Sequence, residues 1–298
     1  MKIGYPCINW SMDCSGNKTF RLKSYSEERL LDTVENNLDC LEAMLIYNVD
    51  HDMLFFRITS ELVPFASHEV NEFDWQSCFE DRFDEIGGLI DENHMRISMH
   101  PDQFIVLNSN KDDVVKRSIA ELDYHADVLD LLNLDRTHKI QLHVGGVYGD
   151  KEKSKRRFVK RYNDLDEKIR ERLVIENDDT SYTLSDCLEI NEICGVPVLF
   201  DNFHHRVNNS GEELNEAMSL VSETWGEGNG IPMVDYSSQE KNEREGKHAE
   251  TIDEEDFQKF ISNSRPYDFD IMLEIKDKER SAKKAVKIIR EDNRFFRG

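Results

Sequence analysis

VLFDNFHHR (residues 198–206) joins a short apolar run to Asp201, with His204 and His205 three and four residues later. A continuous apolar run of this length is typical of a strand that is covered on both faces. The carboxylate at its end loses hydration on burial, and a positively charged partner has to offset that cost. The stretch therefore predicts a buried parallel strand whose carboxyl end carries binding or catalytic side chains.

Similar apolar runs recur along the 298-residue chain. The other seven are KIGYP (2–6), MLFFRIT (53–59), RISMH (96–100), KIQLHVG (139–145), RLVIEND (172–178), IPMVDYS (231–237) and DIMLEIK (270–276). The first helix is predicted from about Ser24 to Tyr47, opened by a Ser24/Glu27 capping box. Further helices are predicted over 111–133, 151–171, 184–194, 211–224, 253–263 and 279–291.

This alternation of strand and helix predicts a single (β/α)₈ TIM barrel domain over residues 1–298, since about 250 residues is typical of that fold. The alternative is an open doubly wound sheet. That fold would require a glycine-rich phosphate loop after the first strand, and GYPCIN (4–9) is not one.

The composition limits the partners and the compartment. Lysine plus arginine total 38 and aspartate plus glutamate 61, so the net charge is 38 − 61 = −23, and 38% of residues are hydrophobic. Such a charge argues against nonspecific DNA binding through net charge alone but leaves room for a local basic or metal-lined groove. An acidic surface suited to a salty cytoplasm is the alternative interpretation.

The cysteines and the apolar runs predict a cytoplasmic protein that does not enter a membrane. The six cysteines form no CxxC pair and are interpreted as reduced thiols: Cys7, Cys14, Cys40, Cys78, Cys187 and Cys194. The N-terminus lacks the apolar region of a signal peptide, and no run approaches the roughly 20 residues of a membrane span.

Metal-ligand side chains concentrate at the predicted strand ends. In a TIM barrel these ends meet on one face, so we expect the nine side chains to form a ring. They are His68, His100, His143, Glu176, Asp201, His204, Asp235, His248 and Glu274. Imidazole and carboxylate ligands suit Zn²⁺, Mn²⁺ or Fe²⁺, and nine exceed the four to six of one ion. We therefore predict two or three divalent cations, with Glu176 as the bridging ligand.

A single histidine at a strand end is more often a core or loop residue, so the hypothesis depends on the whole set. His51, His94, His125 and His138 fall away from the predicted ring and are interpreted as surface or capping residues. His205 is either a support for His204 or an exposed residue. Clustered divalent cations favour hydrolysis of a phosphodiester or an isomerisation, and they supply the positive charge that the chain lacks.

Six segments together resemble the UV damage endonucleases over nearly the whole chain, in the order of that family. They are IGYPCIN (3–9), RISMHPDQFIVLNS (96–109), QLHVGGVYGDK (141–151), LVIENDD (173–179), VLFDNFHHR (198–206) and DIMLEIKDKE (270–279). The resemblance implies a barrel related to endonuclease IV and a metal-dependent nick in duplex DNA. The nick lies immediately 5′ to a cyclobutane pyrimidine dimer or a 6-4 photoproduct, leaves a 3′-hydroxyl and a 5′-phosphate, and initiates excision repair.

The resemblance also implies roles for individual residues. Manganese is the family's usual metal, with Zn²⁺ or Mg²⁺ as alternatives, and the chain is expected to act as a monomer. The ligands carry over onto His68, His100, His143, Glu176, Asp201, His204, His248 and Glu274, among which we take Glu176, Glu274 and His143 as catalytic. Gln103 and Phe104 match the pair, usually Gln-Tyr, that probes the duplex opposite the damage. Tyr5 and Asn9 match a segment that lines the lesion pocket.

Two of these matches also have a structural interpretation. Phe104 alone would be an apolar loop anchor, and without the resemblance Tyr5 would be assigned to the core.

The basic residues after strand four are predicted to contact DNA phosphates, with a solvated helix face as the alternative: Lys151, Lys153, Lys155, Arg156 and Arg157.

At the seventh strand, the family resemblance implies the pattern Lys-x-His-x-Ser-Ser, and this chain departs from it. Here Met233 stands at the lysine place and Asp235 at the histidine place, and Lys247 is a weak substitute for the lysine. Asp235 remains a competent ligand that favours harder ions. Three alternatives therefore stay open: an abasic-site nuclease of the endonuclease IV kind, a sugar isomerase or epimerase on the same barrel, and a damage-binding protein that no longer cuts.

Overall fold

The computed structural model describes residues 1–297 and contains a closed barrel of eight parallel strands. The strands are β1 (Ile3–Pro6), β2 (Phe55–Ile58), β3 (Arg96–Met99), β4 (Lys139–His143), β5 (Leu173–Glu176), β6 (Val198–Asp201), β7 (Met233–Tyr236) and β8 (Asp270–Leu273). They pair in chain order, and β8 closes the barrel on β1. The predicted TIM barrel is confirmed, and each predicted apolar run contains one strand. Gly298, the last residue of the predicted domain, lies outside the described residues.

Helices surround the barrel and connect its strands. They are α1 (Glu27–Val49), α2 (Trp75–Glu92), α3 (Asp112–Leu131), α4 (Lys151–Asn163), α5 (Glu167–Arg170), α6 (Leu184–Cys194), α7 (Asn202–Val207), α8 (Leu214–Glu223), α9 (Glu254–Asn263) and α10 (Glu279–Ile289). The sequence prediction missed α2 and α7 and treated α4 and α5 as one helix. Over residues 1–297, no helix combines the length and the apolar character needed to cross a membrane.

Helix α1 begins two residues later than the predicted capping box requires. Ser26 is the N-cap, and its hydroxyl accepts a hydrogen bond of 3.2 Å from the backbone N–H of Arg29. Ser24 instead ends a short 3₁₀ turn, so the Ser24/Glu27 capping box was wrong. Either serine satisfies the general preference for a hydroxyl at this position, and the turn before the helix decides between them.

Strand register places the polar strand ends at matching heights. His143 pairs with Glu176 between β4 and β5, and Asp201 pairs with Asp235 between β6 and β7. Below this level the strands consist almost entirely of buried residues. Because every strand runs in the same direction, all their carboxyl ends open at one mouth of the barrel.

The cysteine interpretation needs correction at one pair. Cys14 and Cys40 form a disulfide, with their Cα atoms 5.7 Å apart. The loop after β1 folds back onto α1 and brings the two residues together, a proximity that a sequence separation of 26 does not reveal. The remaining cysteines, Cys7, Cys78, Cys187 and Cys194, are free thiols.

Candidate metal centre

Three predicted ligands converge at the barrel mouth around Glu176. His100 Nε2 lies 3.0 Å from Glu176 Oε1, and His143 Nε2 lies 3.2 Å from the same oxygen. Glu176 ends β5, His143 ends β4, and His100 directly follows β3. Two imidazole nitrogens and a buried carboxylate oxygen share this space favourably only with a proton or a metal cation between them. This geometry fits a transition-metal ion.

A second group contains Glu176, Asp201 and Asp235. One ligand atom from each lies within 4.8 Å of the other two, and all three side chains are at most 1% exposed. Three carboxylates this close repel one another in a low-dielectric interior unless cations or protons neutralise them. Glu176 belongs to both groups, as the predicted bridging role requires.

Two polar residues inside the barrel were missed by the sequence interpretation. Arg57 Nη2 donates to Asp235 Oδ2 at 2.8 Å, and Arg57 Nη1 forms an ion pair with Glu274. Gln141 Nε2 donates to Glu176 and, at 2.6 Å, to Asp235. The missed signal was a charged or amide residue in the middle of an apolar run, at positions that point into the barrel.

Asp235 forms a buried ion pair with Arg57. Both of its carboxylate oxygens accept hydrogen bonds from Arg57, at 2.9 and 2.8 Å, and its side chain is fully buried. It lies within ligand distance of Glu176 and Asp201, but a cation there has to share it with Arg57. Its role as a ligand therefore stays a prediction.

His204, in α7 directly after β6, and His248, in the loop after β7, lie close to each other and to these groups. His204 Nδ1 lies 3.0 Å from Asp201 Oδ2, and His248 Nδ1 lies 2.9 Å from the backbone oxygen of Glu274. The two rings are 5.8 Å apart, and the His204 ring is 6.2 Å from that of His143. A histidine held through Nδ1 leaves Nε2 available to a ligand.

His68 belongs to neither of the two ligand groups found among the described residues. Its Nδ1 accepts a 3.0 Å hydrogen bond from the backbone N–H of Val70, and its ring packs edge-on against Phe65. The side chain is exposed on the loop after β2. Its assignment as a ligand stays a prediction.

The electrostatics of the centre reflect its crowding with carboxylates. Burial raises the pKa of Asp201 to about 6, against the opposing charge of His204. Burial also acts to raise the pKa of Glu176, but the nearby His143 and His100 hold it below its usual value. The pKa of His204 rises to about 9 because Asp201, Glu176 and Glu274 outweigh the effect of its burial. Without metal, the centre therefore retains protons that a divalent cation would displace.

The predicted lesion-contacting residues separate into an exposed pair and a buried pair. Gln103 and Phe104 project from the loop after β3, and Phe104 is 71% exposed. Tyr5 is fully buried: its hydroxyl donates to Asn48 at 2.7 Å and accepts from Asn9 at 2.9 Å. The interpretation of Tyr5 as a core residue therefore fits the structure. Direct contact of Tyr5 or Asn9 with DNA stays a prediction that needs the loop after β1 to open.

The basic run in α4 contains side chains that are already engaged within the protein. Lys155 is buried and forms ion pairs with Glu152, Asp186 and Glu189, so its predicted phosphate contact was wrong. Lys151 forms an ion pair with Asp186 at 2.8 Å. Arg157 donates to the backbone oxygen of Asn108 at 2.9 Å. Lys153 and Arg156 are exposed.

Comparison with known proteins identifies a family that covers almost the whole chain. The family model described as UV-endonuclease UvdE matches residues 1–294. A UV DNA damage endonuclease of Clostridium perfringens is 39% identical over 296 residues, which are 99% of this chain and 72% of that protein. A UV DNA damage endonuclease of Bacillus thuringiensis subsp. konkukian is 35% identical over 289 residues, covering 94% of this chain and 91% of the relative.

The solved structures separate this family from other barrels. The crystal structure of SacUVDE superposes with a TM-score of 0.94 at 48% identity and covers 99% of both chains. A D-tagatose 3-epimerase-like protein superposes with a TM-score of 0.60 at 16% identity, covering 98% of this chain and 96% of its own, and shares the fold alone. With a family model that spans residues 1–294 and relatives of 35–39% identity, this chain belongs to the UV-endonuclease UvdE family.

Proposed function

We propose that this chain is a UV DNA damage endonuclease that hydrolyses a phosphodiester bond of duplex DNA with the help of divalent cations. The cut lies immediately 5′ to a cyclobutane pyrimidine dimer or a 6-4 photoproduct and leaves a 3′-hydroxyl and a 5′-phosphate. The names of the relatives support the substrate class. The observation that carries the chemistry is the pair of ligand groups joined through Glu176.

The donor set suits two or three cations, and Mn²⁺ is the first choice, with Zn²⁺ or Mg²⁺ as alternatives. His100, His143 and Glu176 would hold one ion, and Glu176, Asp201 and His204 a second. When bound, such ions polarise the phosphodiester and lower the pKa of water.

The protein's own side chains would orient this centre and the attacking water molecule. Gln141 holds the Glu176 carboxylate, and Arg57 fixes the direction of Glu274. Glu274 is 21% exposed, whereas Glu176 and Asp201 are each 1% exposed. Glu274 is therefore the most accessible of these three carboxylates at the mouth. Burial acts to raise its pKa, but Arg57 and His248 hold that pKa well below its usual value, so Glu274 would stay ionised and orient an attacking water molecule through a hydrogen bond.

Lesion recognition is assigned to the loop after β3. The exposed Phe104 ring and the Gln103 amide would enter the duplex opposite the damage and fill the space of the displaced bases. Extruding bases costs a few kcal/mol, which the new stacking on the ring offsets. A photoproduct is already poorly stacked, so this cost is lower at damage than in intact duplex.

The deciding experiment is a nicking assay on three supercoiled plasmids: UV-irradiated, abasic and undamaged. With Mn²⁺ we expect nicking of the irradiated plasmid above the undamaged one, and we expect EDTA to abolish it. End analysis of a cut oligonucleotide with a single thymine dimer locates the break and identifies the termini. Mapping the break 3′ to the dimer would contradict the proposed cut position.

The same assay separates the alternative functions. Nicking restricted to the abasic plasmid would identify an abasic-site nuclease. Selective binding of irradiated DNA without nicking would identify a damage-binding protein. Absence of both binding and nicking would leave the epimerase chemistry of the structurally similar barrels as the alternative to test on free sugars.

A further inference from the structure

A basic cavity opens beside the metal centre, in a molecule whose net charge is −23. It has a volume of about 620 Å³ and lies between the loop after β7 and the loop after β8. Its charged lining comprises four cations, Arg244, Lys247, Lys276 and Lys278, and two carboxylates, Glu243 and Glu274. This concentration of positive charge runs against the charge of the whole molecule and adjoins the proposed reacting groups.

Two of the four cations are neutralised within the protein, and two are not. Lys247 forms an ion pair with Glu243 at 2.8 Å, and Lys276 with Glu250 at 2.6 Å. Among residues 1–297, no ion pair or side-chain hydrogen bond engages Lys278 Nζ or the guanidinium of Arg244. The half-buried ammonium of Lys278 loses hydration, and the nearby Glu274 attracts it without forming a direct ion pair. Lys278 Nζ is therefore available to contact an anion in the cavity.

The backbone holds Lys278 in an unusual conformation. Its φ is 51° and its ψ is −115°, a region that side-chain-bearing residues rarely occupy. Its N–H donates to the backbone oxygen of Ile275 at 3.1 Å, and its carbonyl accepts from Ala282 at the start of α10. A conformation of this kind persists where the surrounding contacts impose it. Here the contacts hold the backbone of Lys278 at the wall of the cavity that Glu274 also lines.

An exposed aromatic ring lies beside the same loop. Trp10 is 56% exposed, whereas Trp75 and Trp225 are buried. Its indole N–H donates to the backbone oxygen of Lys276 at 3.2 Å, and its backbone N–H donates to the buried carboxylate of Glu279 at 2.9 Å. These contacts hold an aromatic face next to the basic cavity, where a nucleobase can stack on it.

We propose that this cavity is a phosphodiester-binding subsite, in which Lys278 contacts a backbone phosphate beside the scissile bond and Trp10 stacks against the adjoining nucleotide. The inference rests on the proposed function, because it takes DNA as the substrate. Lys278 is a positioning residue: it holds the strand so that the neighbouring phosphodiester lies over Glu274 and the ligand groups. Arg244, at the outer part of the cavity, contacts the phosphate that follows.

The test measures DNA affinity in EDTA, where binding is separated from cutting. A fluorescein-labelled duplex with one thymine dimer is titrated with full-length protein at several salt concentrations between about 50 and 200 mM. We expect Lys278→Met to weaken binding about tenfold, as for the loss of a charged hydrogen bond. We also expect the slope of log K against log salt to become shallower by about 0.9, as for one lost phosphate contact. Lys278→Arg should keep the wild-type slope.

Matched variants separate a local contact from a general change of charge. Lys160→Met removes one positive charge from the exposed side of α4 and should leave the affinity and the slope unchanged. Arg244→Met tests the same cavity without altering the strained residue, and we expect a shallower slope there too. Unchanged circular dichroism and thermal midpoints would show that the variants fold.

Tryptophan fluorescence supplies a second measurement. Adding unlabelled duplex should quench the emission of Trp10, and Trp10→Leu should remove that change. Wild-type slopes in both Lys278→Met and Arg244→Met, or fluorescence that DNA leaves unaltered, would overturn the proposed subsite. Failure of the wild-type protein to nick irradiated plasmid would contradict the proposed function and leave these binding measurements interpretable.

Discussion

Arg57 determines the charge balance of the barrel mouth. Its guanidinium lies between Asp235 and Glu274, and its side chain is only 4% exposed. Met233, at the place where the family resemblance expects a lysine, is fully buried and uncharged. Arg57 therefore supplies a fixed positive charge beside Asp235 within this part of the barrel. Removing one partner of such a buried pair is costly because it strands the other charge.

Glu176 is the residue whose substitution tests the centre most directly. Glu176→Gln keeps the shape of the side chain and removes the charge that both ligand groups share. We expect bound Mn²⁺ to fall by about one ion per chain and nicking to fall at least about 100-fold, while DNA binding in EDTA persists. Elemental analysis and the plasmid assay measure the two effects.

The matched control for Glu176 lies beyond the opposite end of the same strand. Glu171 precedes β5 and forms an exposed ion pair with Arg136. Glu171→Gln makes the same chemical change away from the mouth and should retain metal content and nicking. If Glu176→Gln kept the wild-type nicking rate and metal content, the proposed role of Glu176 as the bridging ligand would be contradicted.

His138 should make stability depend on pH. Burial lowers its pKa from 6.5 to about 3, and its Nδ1 accepts a 2.9 Å hydrogen bond from the backbone N–H of Ile97. As pH falls below 6.5, the unfolded chain binds a proton at this residue that the folded chain does not, so stability is lost towards acid. We expect this loss to reach about 1.4 kcal/mol per pH unit below the unfolded pKa.

The contribution of His138 is measured by difference. His138→Asn retains an acceptor for Ile97 and cannot gain the proton, so urea unfolding between about pH 7 and pH 5 should depend less on pH. His94→Asn, at an exposed histidine, should keep the wild-type dependence. Equal dependence in all three proteins would contradict the assignment of a neutral buried imidazole.

At the scale of elements, the contact between α2 and α3 depends on one glycine. A Cβ atom on Gly87 would lie 2.1 Å from the backbone oxygen of Leu132, at the end of α3. Gly88 is its neighbour in the same helix, and a Cβ there would meet no described atom within 4 Å. Only Gly87 therefore allows the two helices to approach so closely.

The two glycines make a matched pair of substitutions with opposite outcomes. Gly87→Ala should lower the free energy of unfolding by about 1–3 kcal/mol, because the backbone of α3 has to move. Gly88→Ala should raise it by about 0.5–1 kcal/mol through the higher helix propensity of alanine. Urea denaturation measures both. Stabilisation by both substitutions would show that the α2–α3 contact relaxes without cost.

Helix α2 also shows why an element escaped the sequence interpretation. The adjacent Gly87 and Gly88 lower the local helix propensity, although Asp74 caps the helix by accepting from the N–H of Ser77. The strands were easier to recognise, because each is a compact apolar run that the barrel buries on both faces. A packing constraint from α3, and not a local preference, accounts for Gly87.

At the scale of the whole molecule, the charge of −23 should oppose the approach of DNA, while the proposed contacts at the mouth would favour its binding. Raising salt from about 0.01 to 0.1 M shortens the Debye length from about 30 to 10 Å, which screens the long-range repulsion more than contacts at the mouth. We therefore expect the association rate constant for DNA to rise over this range. Stopped-flow anisotropy measures it, and a steep monotonic fall would show that local attraction controls encounter.

The barrel and most of the candidate centre could be predicted from the sequence, because both depend on the local pattern of apolar and polar residues. An apolar run identifies a strand, and in a closed parallel barrel every strand end opens at the same mouth. Asp201 and His204 could thus be assigned to the mouth from nine residues of sequence, and the structure places them beside Glu176 and His143. His68 was assigned by the same reasoning, but it lies on an exposed loop, and the sheet does not determine the position of that loop.

The sequence by itself determined the apolar runs that form the strands, most of the helices between them, and the imidazoles and carboxylates that follow the strands. Only the tertiary structure decided which of these charges are neutralised and by which partner. Arg57 contacts Asp235 and Glu274 across separations of 178 and 217 residues, and Cys14 meets Cys40 through a folded loop. Such pairings depend on the closure of the barrel and on how each side chain packs, and no local sequence pattern contains that information.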